Sequence, residues 1–290
     1  MDLWFLYAAF AAIFAALTTI LAKIGLKNVD SHVATAARTA VVLAFAWLMV
    51  FVVGSQDGIW YIEGRTWVFL ILSGLATGGS WLCFFRALQL GNVNRVVPID
   101  KSSTILTMIL AFVVLSEPIG WLTTVGMLLM GIGTWLMLEL KKDDADKKEK
   151  GKSWLFFAVL AAVFASLTAI FGRIGVEAME ANLWTAIRTM VVVPLSWLMV
   201  FITKGQKKIK NVDLKSWVFL ILSGVTTGAS WLFFYNALQL GNASHVVPID
   251  KLSIVLTMGF ARLFLGERFS KRSLVGLILL TIGTLVPILV

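Results

Sequence analysis

Long apolar runs separated by short polar loops extend along the whole chain. A helix needs about 20 apolar residues to cross a hydrocarbon layer of ~30 Å. Ten stretches meet this requirement, near residues 3–22, 32–53, 67–88, 95–115, 119–139, 154–171, 183–203, 216–238, 246–265 and 271–290. The pattern therefore predicts an all-α membrane protein with ten transmembrane helices.

One interval is strongly polar, the segment KKDDADKKEKGK at residues 141–152. Such a dense mixture of charges cannot enter lipid and is typical of a solvated linker. We therefore expect a first five-helix unit at 1–140, a charged linker at 141–152 and a second five-helix unit at 153–290.

The second unit repeats the first, because adding 150 to a residue number gives its counterpart without a gap. Residues 67–101 and 217–251 are identical at 26 of 35 positions. Self-similarity over this length indicates a duplicated structural unit.

Five spans per unit place the second unit upside down relative to the first. Cytoplasmic loops carry the excess of lysine and arginine, so these residues should change places between equivalent loops. They do so at Asp57, Gly58 and Trp60, which become Lys207, Lys208 and Lys210, and at Arg86 and Arg95, which become Asn236 and His245. The exchange predicts inverted repeats.

The same rule predicts the orientation. Loops after the odd-numbered spans contain about 18 lysines and arginines, and the opposite face contains about two, Arg65 and Arg173. We expect a multi-pass protein of the inner cell membrane, with a cytoplasmic linker and both termini external.

Composition excludes several other classes. The chain is 59% hydrophobic and 14% charged, against roughly 25% charged residues in soluble domains. The net charge of +9 lies mainly in loops, which points to a membrane surface and not to nucleic acid.

The sequence contains no catalytic set, no phosphate-binding loop and no metal-ligand spacing, and Cys83 is the single cysteine. We expect no enzyme activity, no cofactor and no metal.

Several motifs resemble the drug/metabolite transporter superfamily, in its EamA-type branch. They are the ending Leu265-Gly266-Glu267, the glycines Gly276 and Gly283 of the last helix, and the VPIDKxS elements Val97–Ser103 and Val247–Ser253, which are similar to small paired five-span EamA-domain proteins. The resemblance implies secondary transport of a small polar or amphipathic metabolite by alternating access. A chain with both halves is expected to function as a monomer.

Two charged pairs inside predicted spans are the first candidates for a site, Asp100-Lys101 and Asp250-Lys251. Charge at membrane depth is costly and usually faces protein or a water-filled cavity. One interpretation is a substrate or proton-coupling site built by both halves. The other is structural, with ion pairs between helices and with Pro98 and Pro248 at helix starts.

Two further pairs lie at similar depth. Arg38 and Arg188 could bind an oxyanion or neutralise Asp100 and Asp250, and the ion pair is the favoured interpretation. Trp81 and Trp231 either face the cavity, stacking on a ring or a cation, or pack between helices.

Two acidic residues lie just after predicted spans. Glu117 and Glu267, which follow spans four and nine, are expected to cap the next helix. A non-transporting or engineered membrane scaffold is the alternative to a transporter, although a scaffold would gain by replacing Asp100 and Lys101 with apolar residues.

Overall fold

A computed structural model describes residues 3–116, 119–138, 153–176, 179–240 and 252–286. Every regular element in these ranges is helical, which confirms the predicted class for this part of the chain. The α-helices are α1 Leu3–Gly25, α2 Ser31–Val53, α3 Gly64–Leu90, α4 Val93–Lys101, α5 Ser103–Leu115, α6 Trp121–Met137, α7 Ser153–Val176, α8 Ala181–Ile202, α9 Gln206–Ile209, α10 Leu214–Leu240, α11 Ser253–Leu265 and α12 Lys271–Leu285. Short 3₁₀ helices occupy Leu26–Asn28 and Gln56–Tyr61.

The outer surface of this bundle is apolar. Within the described ranges, seven helical segments are long and apolar enough to cross a membrane, and α6 and α11 are shorter apolar helices. Large apolar side chains point outward, among them Phe51 at 63%, Leu128 at 61% and Trp135 at 61% exposure. Exposure of such a surface to water would be unfavourable, whereas contact with lipid chains is favourable.

The predicted fourth span differs from expectation in one respect. Its helix is interrupted at Ser102, between α4 and α5, directly after the Asp100-Lys101 pair. Pro98 lies inside α4, five residues after its first residue, Val93, so the prediction that this proline starts the helix is wrong. The linker 141–152, Pro248 and the pair Asp250-Lys251 lie outside the described residues.

The two halves pack closely against each other, and the most extensive contacts between helices join one half to the other. Helix α1 packs along α10, α3 along α7, α2 on α8 and α6 on α12. The 150-residue shift turns α1 into α7 and α3 into α10, so it exchanges the first two pairs. It maps the α2–α8 and α6–α12 pairs onto themselves. This is the contact pattern of a two-fold axis.

Hydroxyl groups show how the long helices run against each other. On α3, Ser73 donates to the carbonyl of Thr168 in α7, and Ser80 donates to that of Ala161. Residue numbers rise along α3 as they fall along α7, so the two helices are antiparallel. The equivalent hydroxyls of α10, Ser223 and Ser230, donate to the carbonyls of Thr18 and Ala11 in α1.

Helices α6 and α12 cross at glycines, and they are also antiparallel. A Cβ atom on Gly133 would lie 2.6 Å from the carbonyl oxygen of Gly276, and one on Gly283 would lie 2.7 Å from that of Gly126. Side chains here would force the two backbones apart. The crossing therefore depends on small residues, as is common between membrane helices.

The GxxxG pairs at 74–78 and 224–228 make a second set of close approaches. A Cβ atom on Gly74 would lie 2.6 Å from Cβ of Val191 in α8, and one on Gly224 would lie 2.7 Å from Cβ of Val41 in α2. Small residues at these positions therefore permit close approach of the helices.

A carboxylate of one half caps a helix of the other. Both oxygens of Glu267, just after α11, accept from backbone N–H groups at the start of α4, those of Val93 at 3.0 Å and Asn94 at 2.9 Å. The predicted cap on the next helix is wrong for Glu267, because Ser270 caps α12 by accepting from the N–H of Ser273. Glu117 lies outside the described residues.

An ion pair also joins the halves, with Nζ of Lys208 2.8 Å from Oδ2 of Asp30. Burial acts to raise the pKa of Asp30, but the hydrogen bonds from Lys208 and from the His32 backbone outweigh it, so this pKa lies below its usual value. The repeat counterpart of Lys208 is Gly58. The equivalent pair, Gly58 and Glu180, therefore cannot form this ion pair.

Candidate functional site

A cavity of about 350 Å³ lies at the contact between the halves. Six of the eight residues singled out in the sequence line it: Arg38, Trp81, Asp100, Lys101, Arg188 and Trp231. The other two, Asp250 and Lys251, lie outside the described residues. The structure thus brings together residues from α2, α3, α4, α8 and α10, although they are far apart in the sequence.

Arg38 is the most buried of the charged residues that line the cavity, at 3% exposure. Its Nε donates to the hydroxyl of Ser223 at 2.9 Å, and its Nη2 donates to the hydroxyl of Thr227. Both partners are neutral and belong to the other half. Within the described ranges Arg38 contacts no carboxylate, and Asp250, one of the two carboxylates considered as a partner, lies outside those ranges.

Aromatic rings cover the guanidinium group. Its central carbon lies 4.6 Å from the ring centroid of Phe85 and 5.3 Å from that of Trp81. Both rings belong to α3, in the same half as Arg38. Stacking partly compensates for the loss of hydration on burial, and it holds the plane of the guanidinium in one orientation.

The polar partners of Arg38 come from a row of hydroxyls on α10. Ser223, Thr227 and Ser230 are spaced four and three residues apart, which places them on one face of the helix. The row both attaches α10 to α1 and orients Arg38. Ser223 and Thr227 were not predicted as site residues, although their helical spacing indicates a shared polar face.

Trp81 and Trp231 meet inside the cavity. Their ring centroids are 6.2 Å apart and the ring planes are tilted by 31°. These residues are repeat counterparts, so each half contributes one ring to this contact. Both rings form part of the cavity wall and also contact each other. The two predicted alternatives, facing the cavity and packing between helices, therefore both apply.

Asp100 and Lys101 both line the cavity, at the C-terminal end of α4. Partial negative charge of exposed carbonyl groups collects at a helix C-terminus and favours a cation such as Lys101 there. Ser102 leaves the regular α-helical pattern, and its backbone carbonyl instead accepts from the N–H of Ile105. The charged pair therefore lies at a discontinuity in the span.

The described part of the chain offers no group of three or more His, Cys, Asp or Glu side chains that could hold a metal ion. Among the described lining residues, the charged groups are three cations and one carboxylate. Together with the hydroxyls and aromatic rings, these groups can hold a small polar solute.

Comparison with known proteins gives a consistent picture. The model of the family "EamA-like transporter family" matches residues 2–139 and again residues 152–289. An "Uncharacterized transporter in cobO 3'region" of a Sinorhizobium species is 42% identical over 134 residues, which cover 46% of this chain and 95% of that protein. An uncharacterized protein of Methanocaldococcus jannaschii is 28% identical over 129 residues, covering 44% of this chain and 91% of that protein.

These two relatives therefore correspond to about half of the present chain. A solved crystal structure matches 97% of this chain and 94% of its own, with a TM-score of 0.68 and 16% identity, which shows a shared fold. The family model covers both repeats, and family membership indicates a membrane transporter rather than an enzyme. The chain belongs to the EamA-like transporter family.

Proposed function

We propose that this protein is a secondary transporter that moves a small polar or amphipathic metabolite across the inner cell membrane by alternating access. The observation that carries the proposal is the cavity between the halves, lined by charged and aromatic side chains from both repeats. Inverted-repeat transporters bind substrate at this position and rock one half against the other.

The proposed architecture has ten spans in two inverted units, 1–140 and 153–290, joined by a cytoplasmic linker at 141–152, with both termini external. The antiparallel contact of α6 with α12 supports it, because these helices are repeat counterparts. Equivalent helices that run in opposite directions require a two-fold axis perpendicular to their length. In a membrane crossed by these helices, such an axis inverts one half relative to the other.

The proposed site consists of Asp100, Lys101, Asp250, Lys251, Arg38, Arg188, Trp81 and Trp231. Asp100 is the described carboxylate of the cavity and thus the group that would carry a coupling proton. Since one chain contains both halves of the cavity, we propose a functional monomer.

The Asp100→Asn variant tests this site. In proteoliposomes with a pH gradient and an extract of small metabolites outside, wild-type protein should accumulate at least one compound, detected by mass spectrometry. The variant should accumulate that compound at least tenfold more slowly, because an amide has the shape of the carboxyl group but carries neither its charge nor its acidic proton.

The matched control is Glu63→Gln, an exposed carboxylate at the start of α3 that makes no side-chain capping bond. It should leave accumulation unchanged. Loss of folding in Asp100→Asn, seen as a large drop in melting temperature, would mean that Asp100 is structural. Undiminished accumulation would remove it from the site.

A further inference from the structure

Arg38 combines deep burial with an unfilled donor. Two of its three nitrogens donate to hydroxyls, whereas the third, Nη1, is buried and has no hydrogen-bond partner among the described residues. Buried donors are almost always paired, and an unpaired N–H of a cation is especially unfavourable. The position therefore needs an acceptor that the described residues do not supply.

An oxyanion fits this position better than a neutral acceptor does. Hydrogen bonds from a guanidinium to a carboxylate or phosphate are charge-assisted and stronger than those to neutral oxygen. Ser223 and Thr227 hold the guanidinium from one edge, and the rings of Phe85 and Trp81 cover it. With its orientation set in this way, little further ordering is needed when an anion binds.

The rest of the lining is consistent with an anion. The described charged groups are Arg38, Lys101 and Arg188, with Asp100 as the one carboxylate among them. A cationic solute would meet repulsion from both halves, because Arg38 and Arg188 are repeat counterparts on opposite sides of the two-fold axis. An anionic solute would be attracted from both.

The aromatic walls and the size of the cavity define the remainder of the ligand. Trp81 and Trp231 present ring surfaces, and Phe84 and Phe85 line the same cavity. Aromatic faces bind planar apolar groups. A volume of about 350 Å³ lies at the lower end of ordinary ligand pockets, which suits a solute with a single ring system.

From these observations we propose that the substrate class is a small oxyanion that also carries a planar ring, with its charged group on Arg38 and its ring against Trp81 and Trp231. The proposal rests on the cavity being the transport site. Carboxylate and phosphate share the required chemistry, and the ligands below separate them.

The test measures binding by isothermal titration to the purified full chain in detergent, without any transport step. The ligands share a phenyl ring and differ in charge: phenylacetate, phenyl phosphate, phenylacetamide and phenethylamine. At least one of the two anions should bind, with the amide and the amine at least tenfold weaker. Whichever anion binds more tightly identifies the headgroup chemistry.

The Arg38→Lys variant keeps the charge but loses the planar fork, so affinity for the anion should fall at least tenfold. The matched control is Arg272→Lys, an exposed arginine outside the cavity that stacks on Trp135 at 4.6 Å. It should bind the anion as wild type does. If Arg38→Lys does not fold, Trp231→Leu provides the second test, and it should lower affinity for phenylacetate at least fivefold while leaving acetate unaffected.

Three results of the binding test would overturn the proposal: tighter binding of phenethylamine than of either anion, no binding of either anion, or unchanged anion affinity in a folded Arg38→Lys protein. The failure of this inference is distinguishable from failure of the proposed function. If the metabolite assay shows accumulation of a cationic or neutral compound, the anionic substrate class is refuted and the proposed transport function is retained.

Discussion

Replacing Gly133 with valine should strongly destabilise the folded chain. A Cβ atom at this position would lie 2.6 Å from two backbone atoms of α12, the carbonyl oxygen of Gly276 and the nitrogen of Leu280. Backbone atoms cannot rotate away as side chains do, so α6 and α12 would have to separate. We expect a cost of ~3 kcal/mol or more, at the upper end of overpacking substitutions.

Gly131→Val is the matched control, two residues away on the same helix. Its added Cβ would meet only Cδ1 of Ile105, at 3.9 Å, an ordinary van der Waals distance. The readouts are the monodisperse fraction in detergent and the melting temperature. Equal behaviour of the two variants would show that α6 and α12 do not cross as closely as described.

The double variant Ser223→Ala, Thr227→Val is expected to give the second large effect. It removes both hydroxyls that accept from Arg38 and leaves a buried guanidinium without hydrogen bonds in the described structure. Each unpaired buried donor costs about 1–3 kcal/mol, and more when the group is charged. We therefore expect a loss of roughly 2–6 kcal/mol in the free energy of unfolding, measured by denaturation in detergent.

The repeat supplies the control, Ser73→Ala with Thr77→Val. These residues make the equivalent bonds to α7, to the carbonyl and hydroxyl of Thr168, but in the described structure neither accepts from an arginine. The control therefore loses helix-to-helix bonds alone and should be less destabilising by at least ~2 kcal/mol. Equal destabilisation of both double variants would mean that Arg38 does not depend on α10.

Much of the architecture could be predicted because lipid imposes simple rules on sequence. A run of about 20 apolar residues predicts each span, and within the described ranges a helix overlaps each predicted stretch, with seven helical segments long and apolar enough to cross a membrane. The repeat allowed further predictions, because a shift of 150 residues identifies equivalent positions in the two halves from the sequence alone. Six predicted site residues consequently fall in one cavity.

What could not be predicted depends on contacts between the halves. Periodicity shows which face of a helix is polar, but it does not show which helix of the other half lies opposite. An ion pair was thus favoured over an oxyanion site for Arg38, and the hydroxyls of Ser223 and Thr227, its hydrogen-bond partners among the described residues, were not foreseen. For the same reason Glu267 was expected to cap the next helix, although it caps α4, far away in sequence.

The contact between Trp81 and Trp231 has a similar origin. A tryptophan in mid-span is compatible with packing or with a cavity, and local sequence does not separate these roles. The packing of one half against the other brings the ring centroids of the two copies to 6.2 Å. The site is therefore a property of the paired halves, not of either half alone.

Accessibility of the cavity from both sides of the membrane tests the central claim most directly. Ala15 and Ala165 are repeat counterparts that both line the cavity, and Cys83 is the single native cysteine. In a Cys83→Ala background, either Ala15→Cys or Ala165→Cys would be exposed, in sealed vesicles of known orientation, to a charged membrane-impermeant thiol reagent from one side at a time. Alternating access predicts that each cysteine reacts from both sides. Reaction from one side only, or from neither while detergent-solubilised protein reacts fully, would contradict it.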